Sequence, residues 1–319
     1  MALPIPQMIS LPELPLVVIV GPTASGKSTL GVWLAQQLDG EVIACDSTQL
    51  YRGFDIGTAK PTQRERAGVP HHLLDVLDST DETTAGAYRE RALAVLSDLR
   101  FRNKLPVFTV GTGLYLRALL AGFADVPQRS EQLRERLRAS AAARGPGYLH
   151  RVLQKLDPVS ARRIAPADDQ KLIRAVEVCL LVRQPLSRVH ESGRAPLLGW
   201  RAIKIGLDPD RDHLYQRIHA RTDAMLKQGW LEELRELMAS GIPDNPKPLG
   251  FIGYRELHKV LQGEMDLHAA RAAIQQATRR YAKRQLTWFR REPEVNWLSG
   301  FGDDPAIQQR ALVQVRASL

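Results

Sequence analysis

The residues of this chain that most clearly could do chemistry lie in one short glycine-rich segment. It reads Gly21-Pro22-Thr23-Ala24-Ser25-Gly26-Lys27-Ser28 and fits the pattern G-x-x-x-x-G-K-S/T. The two glycines let the backbone curl so that successive N–H groups point inward, and the lysine adds a positive charge. The segment therefore predicts a site that holds a diphosphate or triphosphate, with the Ser28 hydroxyl as a ligand for Mg²⁺.

A carboxylate follows the next apolar run of the chain. Glu41–Cys45 is expected to be a strand, and Asp46 comes directly after it. Ligands of open α/β sheets bind beyond the carboxyl ends of the strands, so Asp46 is expected beside the phosphate loop. It could hold Mg²⁺ indirectly, as in enzymes that hydrolyse ATP or GTP, or it could accept a proton or a hydrogen bond from an incoming nucleophile. The spacing alone does not decide between these roles.

The phosphate loop does not by itself name the reaction. A guanine-specific N-K-x-D motif is missing from the sequence, because Asn103-Lys104-Leu105-Pro106 has proline where the aspartate should stand. This disfavours a GTPase. A small-molecule kinase that uses ATP fits the loop, and so does a non-catalytic RNA-binding module that retains a loop it no longer uses.

Alternating strands and helices must position these residues. Short apolar runs predict four strands, at Leu16–Val20, Glu41–Cys45, Pro106–Val110 and Ala202–Leu207. Helical spacing of apolar residues predicts helices at Thr29–Leu38, Ala85–Leu99 and from Leu114 to Leu120. This alternation predicts the α/β class: a parallel sheet flanked by helices, like that of the P-loop NTPases.

The pattern changes in the middle of the chain. Between Ser130 and Leu186 the apolar residues fall at helical spacings, interrupted at Gly145-Pro146-Gly147 and Asp157-Pro158. We therefore expect an all-helical domain inserted into the sheet domain. The predicted division is 1–121 for the first part of the core, 122–198 for the insertion, and 199–319 for the rest of the core.

Charge and composition narrow the classes of partner. Lys and Arg outnumber Asp and Glu by 44 to 35, a formal charge of +9, which favours a polyanionic partner. No apolar run approaches the roughly 20 residues of a membrane span, and the head of the chain lacks the basic start of a signal peptide. Cys45 and Cys179 cannot build a disulfide framework, and His71-His72 has no companions at zinc-ligand spacing. We expect a cytoplasmic monomer that does not bind membranes.

A basic segment near the C-terminus favours RNA as the polyanion. From Ile274 to Arg291 every charged residue is positive. On a helix, Arg280 and Arg284 belong to a basic stripe, while Tyr281 and Gln285 fall on the opposite face with apolar neighbours. A helix lying on a membrane surface has a similar stripe, but its aromatic side here is typical of core packing. The stripe therefore predicts contact with RNA phosphates.

Several ordered motifs together resemble a known family. They are the phosphate loop, Asp46-Ser47-Thr48-Gln49-Leu50-Tyr51, Asp55-Ile56-Gly57-Thr58-Ala59-Lys60-Pro61, His71-His72-Leu73-Leu74-Asp75, Gly111-Thr112-Gly113-Leu114-Tyr115 and Gly253-Tyr254-Arg255-Glu256. Running from about Leu16 to Arg291, they resemble those of the tRNA dimethylallyltransferases. The chain departs from the family at Val110, where a glycine is usual, and at Phe251-Ile252.

The resemblance implies a reaction and assigns roles. The phosphate loop would hold dimethylallyl diphosphate with Mg²⁺, and the five-carbon group would pass to the exocyclic amine of the adenosine 3′ of the anticodon. Asp46 would be the general base, Thr23 would contact the leaving oxygen, and Arg221 would bind the diphosphate. Residues implied to contact the tRNA anticodon stem-loop are Asp46, Ser47, Thr48, Gln49, Thr112, Arg134, Gln170, Lys171, Leu172, Ile173 and Arg174. An enzyme that prenylates free AMP remains an alternative.

Overall fold

The computed structural model describes residues 13–122, 126–127, 129–192, 195–242 and 246–319. Its strands, in chain order, are β1 (Leu14–Val20), β2 (Gly40–Cys45), β3 (His71–His72), β4 (Leu105–Val110), β5 (Trp200–Leu207) and β6 (Val295–Leu298). Its helices are α1 (Lys27–Gln37), α2 (Gln63–Arg66), α3 (Ala85–Phe101), α4 (Gly113–Ala121), α5 (Glu131–Arg144), α6 (Tyr148–Leu156), α7 (Pro158–Arg163), α8 (Asp169–Val182), α9 (Leu186–Ser192), α10 (Arg211–Lys227), α11 (Trp230–Ala239), α12 (Tyr254–Leu261), α13 (Leu267–Phe289) and α14 (Pro305–Arg316). A 3-10 turn covers Lys247–Gly250. Within these ranges no helix combines the length and the apolar character that a membrane crossing needs.

The strands form one parallel sheet in the order β3-β2-β4-β1-β5-β6. The prediction of an α/β fold with a parallel sheet flanked by helices is confirmed. Because β4 lies between β1 and β2, the carboxyl ends of these three strands are neighbours at one edge of the sheet. The phosphate loop follows β1, Asp46 follows β2 and Gly111 follows β4, so the topology gathers these segments in one place.

Continuous apolar runs explain the central strands. Every residue from Leu16 to Val20 is buried, as parallel strands covered on both faces require. Val17 and Ile19 of β1 pack with Val107 of β4 and Ile205 of β5, and α1 and α14 contribute to the same core cluster. The four predicted strands are confirmed to within two residues at each end. The two edge strands, β3 and β6, were not predicted, because neither has a run of buried apolar residues.

The chain divides into two compact units. One comprises the described residues up to Leu119 together with Leu198–Leu319, and the other comprises Leu120–Leu197. The second unit contains α5 to α9 and no strand within its described residues. Its core includes Leu153, Leu172 and Val176, which are fully buried. Its helices end where the sequence breaks at Gly145 and Asp157, and Asp157 caps α7 by accepting the N–H groups of Val159 and Ser160.

Candidate active site

The phosphate loop connects β1 directly to α1. Gly26 has a φ of +87°, a left-handed conformation that favours glycine, and a Cβ there would lie 2.8 Å from the Gly302 nitrogen. The Gly302 N–H donates to the Ser25 carbonyl at 2.9 Å, so a C-terminal segment packs on the outside of the loop. The helix begins at Lys27 rather than at the predicted Thr29, so its N-terminus follows the loop directly, as an anion site at a helix N-terminus requires.

Lys27 lies folded into the loop that carries it. Its Nζ donates to the carbonyl oxygens of Gly21 and Pro22, at 3.0 and 2.7 Å. The pKa of Lys27 is lowered to about 7, chiefly by burial; the negative charge of Asp46 opposes this shift, and the positive charge of Arg221 adds to it. A bound anionic group would supply the countercharge that the protein leaves incomplete, and would favour the protonated lysine.

Arg221 of α10 is a cation without a partner. Its side chain makes no hydrogen bond or ion pair with any residue that the structure describes. Burial lowers the pKa of Arg221, and the negative charges of Glu65 and Asp46 only partly oppose this. A desolvated guanidinium with free donors is suited to bind a diphosphate, whose oxygens match its fork of N–H groups.

Asp46 is held by its neighbours on two sides. Its Oδ1 accepts the backbone N–H and the hydroxyl of Thr48, at 2.9 and 2.7 Å. Its Oδ2 faces Gly111, where a Cβ would lie only 1.9 Å away. The N–H groups of Gly111 and Thr112 both donate to the Cys45 carbonyl at 3.0 Å, which joins the ends of β2 and β4. The carboxylate is thus fixed in position, with glycine required opposite one of its oxygens.

Thr23, Asp46 and Arg221, the three predicted catalytic residues, line one cavity of about 330 Å³. Ala24, Ser47, Thr48 and Arg284 also line it. The rest of its lining is largely apolar and includes Ile218, Met225, Trp230, Phe251, Ile252 and Ile274. A cavity with cationic and carboxylate groups beside apolar walls can take a charged ligand that carries a small hydrocarbon group.

The residues present fit a magnesium ion that is carried by a phosphate ligand. Ser28 lies on the exposed first turn of α1, and its hydroxyl makes no hydrogen bond with a described residue. Mg²⁺ keeps several waters and takes few protein ligands beside phosphate oxygens. The described residues contain no cluster of three or more His, Cys, Asp or Glu that could hold a metal alone. Ser28 remains the predicted protein ligand.

The other residues near Asp46 that were predicted to contact tRNA differ in availability. The hydroxyl of Thr112 accepts the Ser47 N–H at 2.9 Å, which fixes the segment after Asp46. Gln49 uses its side-chain amide within the fold: Nε2 donates to the carbonyls of Thr58 and Ala59, at 3.2 and 3.1 Å. Ser47 and Thr48 line the cavity, so of this segment they and Asp46 are best placed to contact a ligand.

Two of the motifs that resemble those of the family hold the segment after β2 in place. Lys60 is buried and its Nζ forms ion pairs with Asp55, at 2.7 Å, and with Asp75. It also donates to the Tyr51 carbonyl. One lysine thereby joins the segment after β2 to the segment after β3, on the side of the sheet where Asp46 lies.

The residues of the helical unit that were predicted to contact tRNA differ in exposure. The side chains of Leu172 and Ile173 are buried in its core, and the contact of this segment with tRNA stays a prediction. Arg134 and Arg174 both pair with the buried Glu177, at 3.2 and 2.7 Å. Their charges compensate a desolvated carboxylate, a structural role that charge counting does not reveal. The side chains of Gln170 and Lys171 are exposed.

The basic helix has the predicted two faces. Ile274, Ala282, Gln285 and Phe289 of α13 are buried, while Arg280, Lys283 and Arg284 are exposed. The helix ends at Phe289, so Arg290 and Arg291 of the basic segment follow it. Arg290 pairs with Asp208 at 3.0 Å, so not every arginine of the stripe is available to a ligand.

Polar residues on the packing face of α13 were not predicted to belong to the site. Tyr281 lines the cavity, and its hydroxyl donates to the Gly111 carbonyl at 3.1 Å. The amide of Gln285 bonds to both Thr23 and Gly111. The available signal was a glutamine on an otherwise apolar face, which requires a polar partner when buried.

The paired histidines have structural partners. His72 Nε2 lies 2.7 Å from Glu41, which Arg102 also binds, and His71 Nδ1 lies 2.8 Å from the Val69 carbonyl. Both cysteines are free and buried, and burial raises the pKa of the Cys45 thiol to about 12.

Comparison with known proteins identifies one group of relatives. A family model described as IPP transferase matches residues 49–292, and one described as isopentenyl transferase matches residues 14–81. This chain is 52% identical to the tRNA dimethylallyltransferase of Koribacter versatilis, over 95% of this chain and 98% of the relative. It is 46% identical to that of Solibacter usitatus, again over 95% and 98%.

Solved structures agree in fold. The full-length tRNA isopentenylpyrophosphate transferase of Bacillus halodurans is 37% identical, with a TM-score of 0.70 over 96% of each chain. A eukaryotic dimethylallyltransferase described as acting on tRNA is 26% identical, with a TM-score of 0.79 over 95% of this chain and 77% of that one.

Proposed function

Because this chain belongs to the tRNA dimethylallyltransferase family, we propose that it transfers the dimethylallyl group of dimethylallyl diphosphate to a tRNA. The acceptor is the exocyclic amine of the adenosine 3′ of the anticodon, and the second product is diphosphate. One observation carries the proposal: the phosphate loop residue Thr23, the cation Arg221 and the carboxylate Asp46 line a single cavity. This cavity has groups that can bind the departing diphosphate and a carboxylate that can bind the attacking amine.

The donor end of the site would stabilise the leaving group. As the bond between the allylic carbon and the diphosphate oxygen breaks, negative charge grows on that oxygen. Lys27, Arg221 and the loop amides other than those of Thr23 and Ser25 are available to receive it. The Thr23 hydroxyl is available to the leaving oxygen itself. When bound, Mg²⁺ held by Ser28 would neutralise part of the diphosphate charge.

The acceptor end would prepare a weak nucleophile. The lone pair of an adenine amine is delocalised into the ring, so it attacks poorly without help. Asp46 would orient the amine by accepting its N–H, and would take the proton as the nitrogen–carbon bond forms. Thr48 holds one oxygen of Asp46 and leaves the other for this task. The electron pair of the broken carbon–oxygen bond stays with diphosphate.

The tRNA must present its adenosine outside the stack to reach this cavity. Arg284 lines the cavity and Arg280 is exposed on the same helix, so α13 offers cations to the RNA backbone near the acceptor position. Gln170 and Lys171 are the exposed side chains proposed for a second contact. Ser47 and Thr48 are proposed to contact the extruded base.

The alternatives make different demands on substrates. No observation favours the ATP-dependent kinase, whose acceptor would be a small molecule. The exposed arginines of α13 suit the phosphates of an RNA backbone, whereas an enzyme that prenylates free AMP would not need them.

Incubation with labelled dimethylallyl diphosphate and Mg²⁺ tests the proposal. Four acceptors are compared: tRNA lacking the modification, the same tRNA with guanosine replacing the target adenosine, AMP, and no acceptor. We expect label in the first tRNA alone. Equal or faster labelling of AMP would show that the acceptor is a mononucleotide rather than tRNA. Phosphoryl transfer from ATP without any prenyl transfer would support the kinase instead.

A further inference from the structure

Gln285 of α13 bridges the two halves of the candidate active site. Its Oε1 accepts the backbone N–H of Thr23 at 2.7 Å, and its Nε2 donates to the Gly111 carbonyl at 2.8 Å. Thr23 belongs to the phosphate loop, and Gly111 lies against the carboxylate of Asp46. One planar amide group thus spans from the donor side to the acceptor side.

The surroundings make this bridge rigid. Gln285 is only 6% exposed, so water competes little for either hydrogen bond. A second donor from the same helix, the Tyr281 hydroxyl, reaches the same carbonyl at 3.1 Å. A primary amide carries a donor and an acceptor at a fixed separation, which a hydroxyl, a carboxylate or an apolar side chain does not provide.

The bridge also takes an amide away from the phosphate loop. The Thr23 N–H points to Gln285 and is therefore not free to bind a phosphate oxygen while the bridge holds. Its effect on the reaction must then come through the placement of the Thr23 side chain. Fixing the Thr23 backbone fixes the origin of its hydroxyl, the group proposed to meet the leaving oxygen.

Resting on the proposed function, we infer that Gln285 is a positioning residue that sets the distance and orientation between the leaving group and the acceptor amine. It contacts neither substrate and acts through Thr23 and through the Gly111–Asp46 contact. Small misplacements of reacting groups cost large factors in rate while leaving ground-state binding almost unchanged. Loss of the Gln285 bridge should therefore lower kcat and leave the KM values almost unchanged.

Gln285→Met tests this, because methionine has a similar volume and neither bridging atom. We expect kcat for tRNA prenylation to fall about 10-fold or more, with both KM values within about 3-fold of wild type. Gln276→Met, on the exposed side of the same helix, should leave kcat unchanged. Loss of tRNA affinity at an unchanged kcat would overturn the inference.

A double-mutant cycle separates positioning from general damage to the fold. If Gln285 acts through the Thr23 hydroxyl, Gln285→Met should cost less than about 3-fold in a Thr23→Ala background. An equal loss in both backgrounds would contradict the route through Thr23. Gln285→Glu serves if the methionine variant does not fold: it keeps an acceptor for the Thr23 N–H and loses the donor to Gly111. Full kcat in Gln285→Glu would overturn the bridge.

Hydrogen exchange provides a readout that does not need activity. In the ligand-free protein, amides of segment 21–28 should exchange faster in Gln285→Met than in wild type or Gln276→Met. An unchanged exchange rate would contradict the bridge. A wild-type protein that prenylates no tRNA would instead contradict the proposed function, and the exchange result would still decide on the bridge.

Discussion

Gly111 leaves the space that one carboxylate oxygen of Asp46 occupies. A Cβ at residue 111 would lie 1.9 Å from Oδ2 of Asp46 and 2.8 Å from its Cγ. The contact joins the end of β4 to the residue after β2, two strands that are neighbours in the sheet. The position of the proposed base therefore depends on a residue that has no side chain.

Gly111→Ala should displace the carboxylate and spare the fold. Asp46 is a short side chain that can turn away, so we expect little change in the melting temperature. We expect kcat for tRNA prenylation to fall about 100-fold, since the proton acceptor moves from the amine. Affinity for inorganic diphosphate, measured by calorimetry, should stay within about 2-fold. Gly86→Ala on α3, where a Cβ meets only Thr84 at 3.6 Å, is the matched control. A fully active Gly111→Ala would show that the placement of Asp46 does not matter.

Arg221→Met should weaken diphosphate binding without destabilising the protein. The guanidinium has no hydrogen-bond or ion-pair partner among the described residues, so its removal strands no other group. We expect the Kd for inorganic diphosphate to rise about 10- to 100-fold, the range of lost charge-assisted hydrogen bonds. The melting temperature of the ligand-free protein should hold or rise.

Arg211→Met, on the exposed start of the same helix, controls for the Arg221 substitution. It should change neither diphosphate affinity nor kcat. If Arg221→Met binds diphosphate as wild type does, the arginine has been given the wrong role.

Glu41 should govern part of the acid stability. Hydrogen bonds from Arg102, with a smaller contribution from His72, lower the pKa of the buried Glu41 to about 2 from 4.5. Between pH 2 and pH 4.5 the unfolded chain therefore binds a proton that the folded protein does not bind. The resulting stabilisation of the fold is present above pH 4.5 and is lost as the pH falls toward 2. The shift corresponds to about 3 kcal/mol. Glu41→Gln should lower the free energy of unfolding at pH 7 by about that amount and flatten its acid dependence.

Denaturant titrations between pH 2 and 7 measure this effect. Glu90→Gln, an exposed position on α3, should leave both the stability and its pH dependence unchanged. A Glu41→Gln variant whose stability keeps the wild-type acid dependence would exclude Glu41 as its source.

Arg280→Gln should weaken tRNA binding through the loss of a phosphate contact. The side chain is exposed on α13 and has no ion pair among the described residues. The slope of log K for tRNA against log salt should shrink by about 0.7 to 0.9, the value of one released counterion. Diphosphate affinity should not change. Arg316→Gln on α14 is the control. An identical salt slope for both variants would show that Arg280 of α13 does not contact the RNA phosphates.

The sequence predicted the central strands because their residues are apolar on both faces, a pattern that needs no knowledge of neighbours. It did not predict β3, two histidines at the sheet edge, because a strand that short has no period. The family motifs named Thr23, Asp46 and Arg221, and the structure brings them to one cavity. The motifs did not reveal why glycine stands at 111.

Contacts between distant parts of the chain explain the rest. Thr23 and Gln285 are 262 positions apart, so only the folded arrangement shows that they share a hydrogen bond. The family resemblance implied that Arg134 and Arg174 contact tRNA, and the structure shows that both form ion pairs with the buried Glu177. A charge in a sequence does not state whether its partner is a ligand or another residue of the same core.

Nucleoside mass analysis of the reacted tRNA shows whether this protein prenylates the adenosine 3′ of the anticodon and whether Asp46 takes part. Wild-type protein, dimethylallyl diphosphate and Mg²⁺ should yield N6-dimethylallyladenosine at the position 3′ of the anticodon. Asp46→Asn should form it about 100-fold more slowly or worse, at unchanged diphosphate affinity, because the amide cannot take the proton. Asp212→Asn, at an exposed position, should react as wild type does. A prenyl group on another nucleoside, or an Asp46→Asn variant of undiminished rate, would contradict the account.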